Sequence, residues 1–113
     1  MTAADDVILG RIRDLNDRLR TTARGGNIVV TQSLVALGPE FVVQAVAAVA
    51  EFSDFTPDND PYGEHDFGAV TVADESVFFK IDYYDLALTA GSPDPANAAI
   101  TRRVMTVMLA ADY

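Results

Sequence analysis

Apolar side chains return at helical spacing from the start of the chain: Ile8, Ile12, Leu15 and Leu19 fall four, three and four positions apart and share one face. The spacing predicts an amphipathic helix over residues 5–22. Thr2 with Asp5 forms a capping-box signature, and the Gly25-Gly26 pair ends the helix. Asp5 and Asp6 at its start, with Arg18 and Arg20 at its end, complement the helix dipole, and Asp14 lies one turn before Arg18 as a surface pair. The β-branched run over residues 28–31 predicts a short strand. Gly38-Pro39-Glu40 opens a second helix that ends near Phe52. Phe41, Val42, Val43, Val46 and Val49 make it apolar almost all round, so it is expected to be buried on more than one side.

The period then changes to two. Residues 66–72 and 77–83 read as strands of a hairpin joined by Ala73-Asp74-Glu75-Ser76. In the second strand Val77, Phe79, Ile81 and Tyr83 take the core face, while Phe78, Lys80, Asp82 and Tyr84 take a half-exposed one. Gly91-Ser92-Pro93-Asp94-Pro95 is a turn into a last helix, with Asp94 as N-cap and Pro95 at its first position. Ile100, Val104, Val107, Met108 and Ala111 supply the apolar stripe of that helix. The expected fold is therefore α+β, one domain over residues 1–113, in the order α-β-α-β-β-α. A small antiparallel sheet of about three strands packs with three helices. Leu15, Leu19, Val29, Phe41, Val46, Phe79, Ile81, Val104 and Val107 are expected in its core.

Between these elements lies a segment of neither period, residues 52–68. It gathers aromatics, turn formers, five acids and the single histidine, His65. It is either an elaborate turn or the working surface of the protein. Asp, Asn and Thr side chains here readily bond nearby backbone amides, and Phe52, Phe55 and Phe67 are placed to pin the segment to the core.

Composition narrows the function classes. There is no cysteine, which removes thiolate nucleophiles, thiolate metal sites and disulfides. No apolar run approaches the ~18 residues that would span a bilayer, and the opening Met-Thr-Ala-Ala-Asp-Asp is acidic where a secretory signal is basic, so a cytoplasmic location is expected. Eight basic residues against 17 acids give a formal charge of −9. The charge is unevenly spread: residues 40–94 carry twelve acids against Lys80, and Arg11, Arg13, Arg18, Arg20 and Arg24 cluster near the N-terminus. That balance repels duplex nucleic acid and anionic membranes and attracts a basic protein surface. The arginine cluster reads as a solvated helix face.

Three chemistries are open to the acidic segment. Asp58-Asn59-Asp60-Pro61-Tyr62-Gly63 matches an EF-hand loop at positions one and three and at the turn glycine. Tyr62 and Ala69 replace the oxygen ligands at positions five and twelve, and no helix follows. His65 between Glu64 and Asp66 places an imidazole among carboxylates, but a catalytic metal site ordinarily takes three protein ligands and only one histidine is present. A carboxylate-oriented His65, with Tyr83 or Tyr84 as proton donor, is the acid–base version. No recognised catalytic constellation assembles, and no catalytic residue, metal or cofactor is assigned.

The runs Asp-Phe-Thr-Pro-Asp-Asn-Asp-Pro-Tyr-Gly-Glu-His-Asp-Phe-Gly (54–68), Val-Phe-Phe-Lys-Ile-Asp-Tyr-Tyr-Asp (77–85) and Gly-Ser-Pro-Asp-Pro-Ala (91–96) resemble an uncharacterised family of small bacterial, plasmid and phage proteins. The resemblance extends over nearly the whole chain and brings no catalytic residues. It implies a mobile-element setting, in which small acidic proteins without cysteine are similar to anti-restriction and anti-CRISPR inhibitors. The expected function is an acidic interaction protein that inhibits a nucleic-acid-binding defence complex, by nucleic-acid mimicry, through a basic surface of that complex. The expected partner-binding residues are Asp54, Asp58, Asp60, Tyr62, Glu64, Asp66, Asp82, Tyr84 and Asp85; the acids among them, with Asp94, are expected to form an elongated negative patch opposite the arginine-bearing helix. Tyr62 and Tyr84 act as anchors, and reversing Asp58, Asp60 and Glu64 together is expected to weaken binding without unfolding. No direct nucleic-acid or membrane contact is expected. The competing expectation is a small metal-binding protein or hydrolase centred on the Asp58–Asp66 segment.

Overall fold

The structure is a computed structural model that describes residues 2–113. Its elements are α1 (Ala3–Thr22), β1 (Asn27–Val30), the short α2 (Gln32–Val35), α3 (Pro39–Glu51), β2 (Phe67–Val72), β3 (Glu75–Tyr84) and β4 (Arg102–Leu109), with 3-10 turns at Ala98–Ile100 and Ala110–Asp112. The strands form one four-stranded sheet in the order β1-β4-β3-β2. β2–β3 and β3–β4 are antiparallel, and β1 runs parallel to β4. The class is thus α+β, but with a fourth strand in place of the expected last helix.

That exchange is the main correction to the expected order. Residues 102–109 are an interior strand of the sheet, flanked by β1 and β3. Arg103, Met105 and Val107 point to the core at period two, and Arg102, Val104 and Thr106 point away. The apparent helical stripe arose because Val107 and Met108 are both buried, on opposite faces. Val104, Thr106 and Val107 are β-branched and suit the pleat. Asp94 and Pro95 accordingly open no helix: the Asp94 carboxylate accepts from the Ala96 amide, and Arg103 donates to the Pro95 carbonyl.

α1 begins as expected, with Thr2 Oγ1 accepting from the Asp5 amide (3.1 Å) and the Asp5 carboxylate accepting from the Thr2 amide (3.2 Å). It ends earlier than the glycine pair: Ala23 itself takes the left-handed cap, φ 60°, and donates to the Leu19 carbonyl. α3 begins at Pro39 as expected. It buries one side through Ala45 and Val49, whereas Val43 is 69% exposed. β2 and β3 are joined by the two residues Ala73 and Asp74, both at positive φ, a tighter turn than the four-residue connection expected.

Helices α1 and α3 cover one face of the sheet, and Leu19, Leu34, Val49, Val77, Phe79 and Met105 meet in the core between. Val29 is not in that core but 45% exposed, because Ile28 and Val30 take the inward positions of β1. The opposite face carries Phe67, Phe78, Lys80, Asp82, Tyr84 and Val104, the half-exposed surface expected of β3. No helix among the described residues is long and apolar enough to cross a membrane.

Candidate functional site

The segment between α3 and β2 is held against α1 at both of its ends. At its start Arg20, 6% exposed, donates through Nη1 to the carbonyls of Val49 (3.0 Å), Ala50 (3.2 Å) and Phe52 (2.6 Å). The guanidinium thereby satisfies the open carbonyls at the C-terminus of α3, where a cation also complements the dipole. Its Nη2 pairs with Asp17 at 3.1 Å. At the far end Arg13 Nε donates to the Gly63 carbonyl (2.9 Å), and Asn16 Nδ2 donates to the Glu64 carbonyl (2.9 Å). The acidic segment therefore lies on the arginine-bearing helix, not opposite it. Arg13 and Arg20 are part of the scaffold, which corrects the view of the cluster as solvated. Asp14 is likewise not the acid that pairs along this helix; Asp17 is.

Asn16 is fully buried and is the centre of a polar network. Beyond Glu64 it donates to the Tyr83 hydroxyl (2.7 Å) and accepts from Arg103 Nε (2.8 Å). Tyr83 donates in turn to Glu64 Oε1 (2.6 Å), and burial together with that bond pushes the phenol pKa far up. The Tyr83 hydroxyl is thus a donor fixed on Glu64. Arg103, 1% exposed, lies over the Tyr83 ring at 5.0 Å, and burial lowers its pKa.

His65 occupies the left-handed region, φ 57°, and its ring stacks on Phe55 at 3.8 Å and 5°. Nδ1 faces Asp17 Oδ1 at 2.9 Å, so it carries the proton when Asp17 is ionised. Nε2 faces Asp60 Oδ2 at 3.7 Å, and the backbone amide of His65 points at both Asp60 oxygens at 3.3 Å. Asp60 is 8% exposed and serves as an internal clamp for this turn. Asn59 is committed as well: Oδ1 accepts from the Thr56 amide (2.8 Å) and Nδ2 donates to the Asp54 carbonyl (2.8 Å). These are side-chain-to-backbone turns of the kind that rigidify a loop. Phe52 and Phe55 pin the loop as expected, edge-on to Phe79. Phe67 does not: it packs with Phe78 and Tyr113 on the open face of the sheet.

The expected partner-binding residues divide into three groups. Asp60, Glu64 and half-buried Asp66 point inward, and burial with the neighbouring Glu64 raises the pKa of Asp66. Asp82 and Tyr84 lie on the open sheet face, where Asp82 pairs with Lys80 at 3.0 Å. Asp85 holds the Thr89 amide (3.0 Å) in the connection that follows β3. Asp54, Asp58 and Tyr62 are left on the exposed side of the loop, with Tyr62 79% exposed. Beside Tyr62 is an open groove of about 380 Å³, walled by Leu9, Arg13, Phe55, Pro57, Asp60 and His65.

Two features bear on chemistry. Among the described residues no group of three or more His, Asp or Glu side chains is arranged to hold a metal ion. The imidazole is confronted by a carboxylate at each nitrogen, and the Tyr83 hydroxyl is already bound to Glu64. These contacts tie the loop to α1 and to β3.

Residues 30–112 match the model of a family described as a protein of unknown function, DUF3768. The chain belongs to that family. The matched region includes the loop and β2 to β4, whereas Arg13, Asn16, Asp17 and Arg20 of α1 lie outside it. No curated protein and no solved structure matches the chain. In this DUF3768 member no role is expected of Asn16 from sequence, and Arg20 is expected there to be solvated; the signal that marks them is their place on the apolar stripe of α1, one turn after Ile12 and Asn16 respectively. Arg103 carried no such signal, because its inward direction follows only from the strand.

Proposed function

We propose that the chain is a protein-interaction module that presents the exposed side of residues 54–62 to a basic surface of a partner. In the form the charge favours, the partner is a nucleic-acid-binding complex of the defence type, and the module inhibits it by occupying the groove that nucleic acid would fill. One observation carries the reading. The Asp60 and Glu64 carboxylates are engaged by the His65 amide and Tyr83, and His65 Nδ1 by Asp17, while Tyr62, Asp54 and Asp58 are held exposed on that support. An exposed tyrosine on a pre-ordered loop contributes contact area at little entropic cost, and surrounding carboxylates steer a basic partner. The net charge of −9 supports the same class of partner.

The test is binding to a purified nucleic-acid-processing complex at low and high salt, with nucleic acid as competitor. Asp54→Lys with Asp58→Lys is the informative variant; reversing Asp60 or Glu64 would dismantle the support itself. The reading predicts salt-sensitive binding that nucleic acid displaces, weakened strongly by the double reversal and by Tyr62→Ala. Salt-insensitive binding that nucleic acid leaves in place would refute mimicry.

The competing reading, a small metal-binding protein or hydrolase, has in its favour that His65 lines a groove with Asp17 behind it. It requires His65→Ala to abolish an activity or metal uptake while leaving the fold intact. The interaction reading requires the same change to lower stability, by about 1–3 kcal/mol for the lost bonds and stacking.

A further inference from the structure

β2 is an edge strand, and its free side is chemically unguarded. The bond from the Ile81 amide to the Asp66 carbonyl (2.8 Å), with Phe67 opposite Lys80, sets the alternation of the hairpin. Gly68, Val70 and Val72 exchange hydrogen bonds with β3. Phe67, Ala69 and Thr71 therefore turn their N–H and C=O groups outward, and no described residue bonds to them. Edge strands are ordinarily blunted by lysine, proline, a bulge or brevity. β2 is Phe-Gly-Ala-Val-Thr-Val, in continuous register over all its residues, without charge or proline. The opposite edge, β1, is protected by its four-residue length and its immediate passage into α2.

We propose that β2 accepts an extended segment of a partner protein as a fifth strand of the sheet, and that this segment is uncharged and β-branched at its centre with basic residues at both ends. The charge pattern selects that occupant. Asp66 precedes the strand, Asp74 and Glu75 follow it, and the one cation alongside, Lys80, is already paired with Asp82. A second copy of this chain is disfavoured by the same pattern. Antiparallel self-pairing would bring Asp74 and Glu75 at the end of one copy's β2 to the Asp66 end of the other, and like charges brought together across strands are destabilising. Main-chain bonds along the edge would supply affinity, and the ends would supply selectivity. The proposal concerns a different surface from the Tyr62 loop and stands or falls separately.

The experiment uses two synthetic peptides, Lys-Arg-Thr-Val-Thr-Val-Thr-Arg-Lys and its twin with Glu and Asp in place of the basic residues. Amide exchange of the full chain is followed residue by residue. The basic peptide is expected to slow exchange at Phe67, Ala69 and Thr71, leaving the already bonded amides of Gly68 and Val70 little changed. Ala69→Pro removes an outward donor without touching the β3 ladder, a place where an edge strand tolerates proline. It should weaken the peptide about tenfold or more at an unchanged unfolding midpoint. Should that variant fold poorly, Thr71→Lys, which sets a charge beside the edge, must weaken the basic peptide instead. No protection at saturating basic peptide, or equal binding of the acidic twin, would overturn the proposal. So would protection that grows with protein concentration alone, together with dimers in sedimentation, because a second copy would then be the occupant.

Discussion

Asn16→Ala is the perturbation that bears most heavily on how the loop is held. The side chain is fully buried and makes three bonds, to the Glu64 carbonyl, the Tyr83 hydroxyl and Arg103 Nε. Truncation leaves Tyr83 with Glu64 as its remaining partner, so that loss is small. Arg103 is different, since its Nε loses a charge-assisted bond at a position 1% exposed. A buried bond to a charged group is worth about 1.5–3 kcal/mol, and an orphaned half-buried carbonyl adds on the order of 1 kcal/mol. The sum, about 2.5–4 kcal/mol, is a large share of the ~5–15 kcal/mol that holds an ordinary domain together. Urea unfolding followed by circular dichroism measures it directly, and amide exchange at His65 reports whether the loop loosens first. A loss below about 1 kcal/mol, with His65 exchange unchanged, would show that the network does not hold the loop.

Other consequences follow from particular contacts. A Cβ at Gly68 would come within 2.8 Å of Phe79 Cζ and 2.9 Å of Phe52 Cε1, so Gly68→Ala is expected to destabilise by about 1–3 kcal/mol through overpacking. On the order of 5 °C of melting temperature accompanies each kcal/mol in a chain of this size, and differential scanning calorimetry checks it. Asp66 has its pKa raised by burial and by Glu64, so its contribution to stability is fully present below the ordinary carboxylate value and is lost as pH rises through the raised one. Asp66→Asn should therefore raise the melting temperature at pH 7, with the gain disappearing in acid; a gain that persists below pH 3.8 contradicts the assignment. Asp112 runs the other way, its pKa lowered by bonds from Ser33 and Thr31. What it contributes is present above the ordinary carboxylate value and lost as pH falls through the lowered one, so Asp112→Asn should cost stability at pH 7 and nothing in strong acid.

Much of the local structure was legible because propensity and period agreed. The Thr2–Asp5 cap, the Pro39 start of α3 and the alternation of β3 all rest on single-residue chemistry that tertiary context did not override. β4 was illegible for a specific reason. A strand whose inward positions include an arginine does not alternate apolar with polar, and the Val107-Met108 pair imitates a helical stripe. Arg103 faces the core with Asn16 and the Pro95 carbonyl accepting from it, and Asn16 lies 87 positions away in sequence. The loop was recognisable as special from composition. Which of its acids faced outward was not, because the carboxylates of Asp60 and Glu64 are turned inward by partners at His65 and Tyr83. Charge counted along a chain gives no direction to any single side chain.

The most direct test of the interaction claim places a photo-crosslinking phenylalanine analogue at Tyr62, with Leu88 and Val35 as exposed controls far from the loop in sequence. Crosslinked partners are identified by mass spectrometry with and without Asp54→Lys and Asp58→Lys, and with added nucleic acid. The account predicts a dominant crosslink at position 62 to a protein with a basic nucleic-acid-binding surface, lost in the double reversal and competed by nucleic acid. Equal crosslinking at all three positions, or a partner that nucleic acid does not displace, would contradict it.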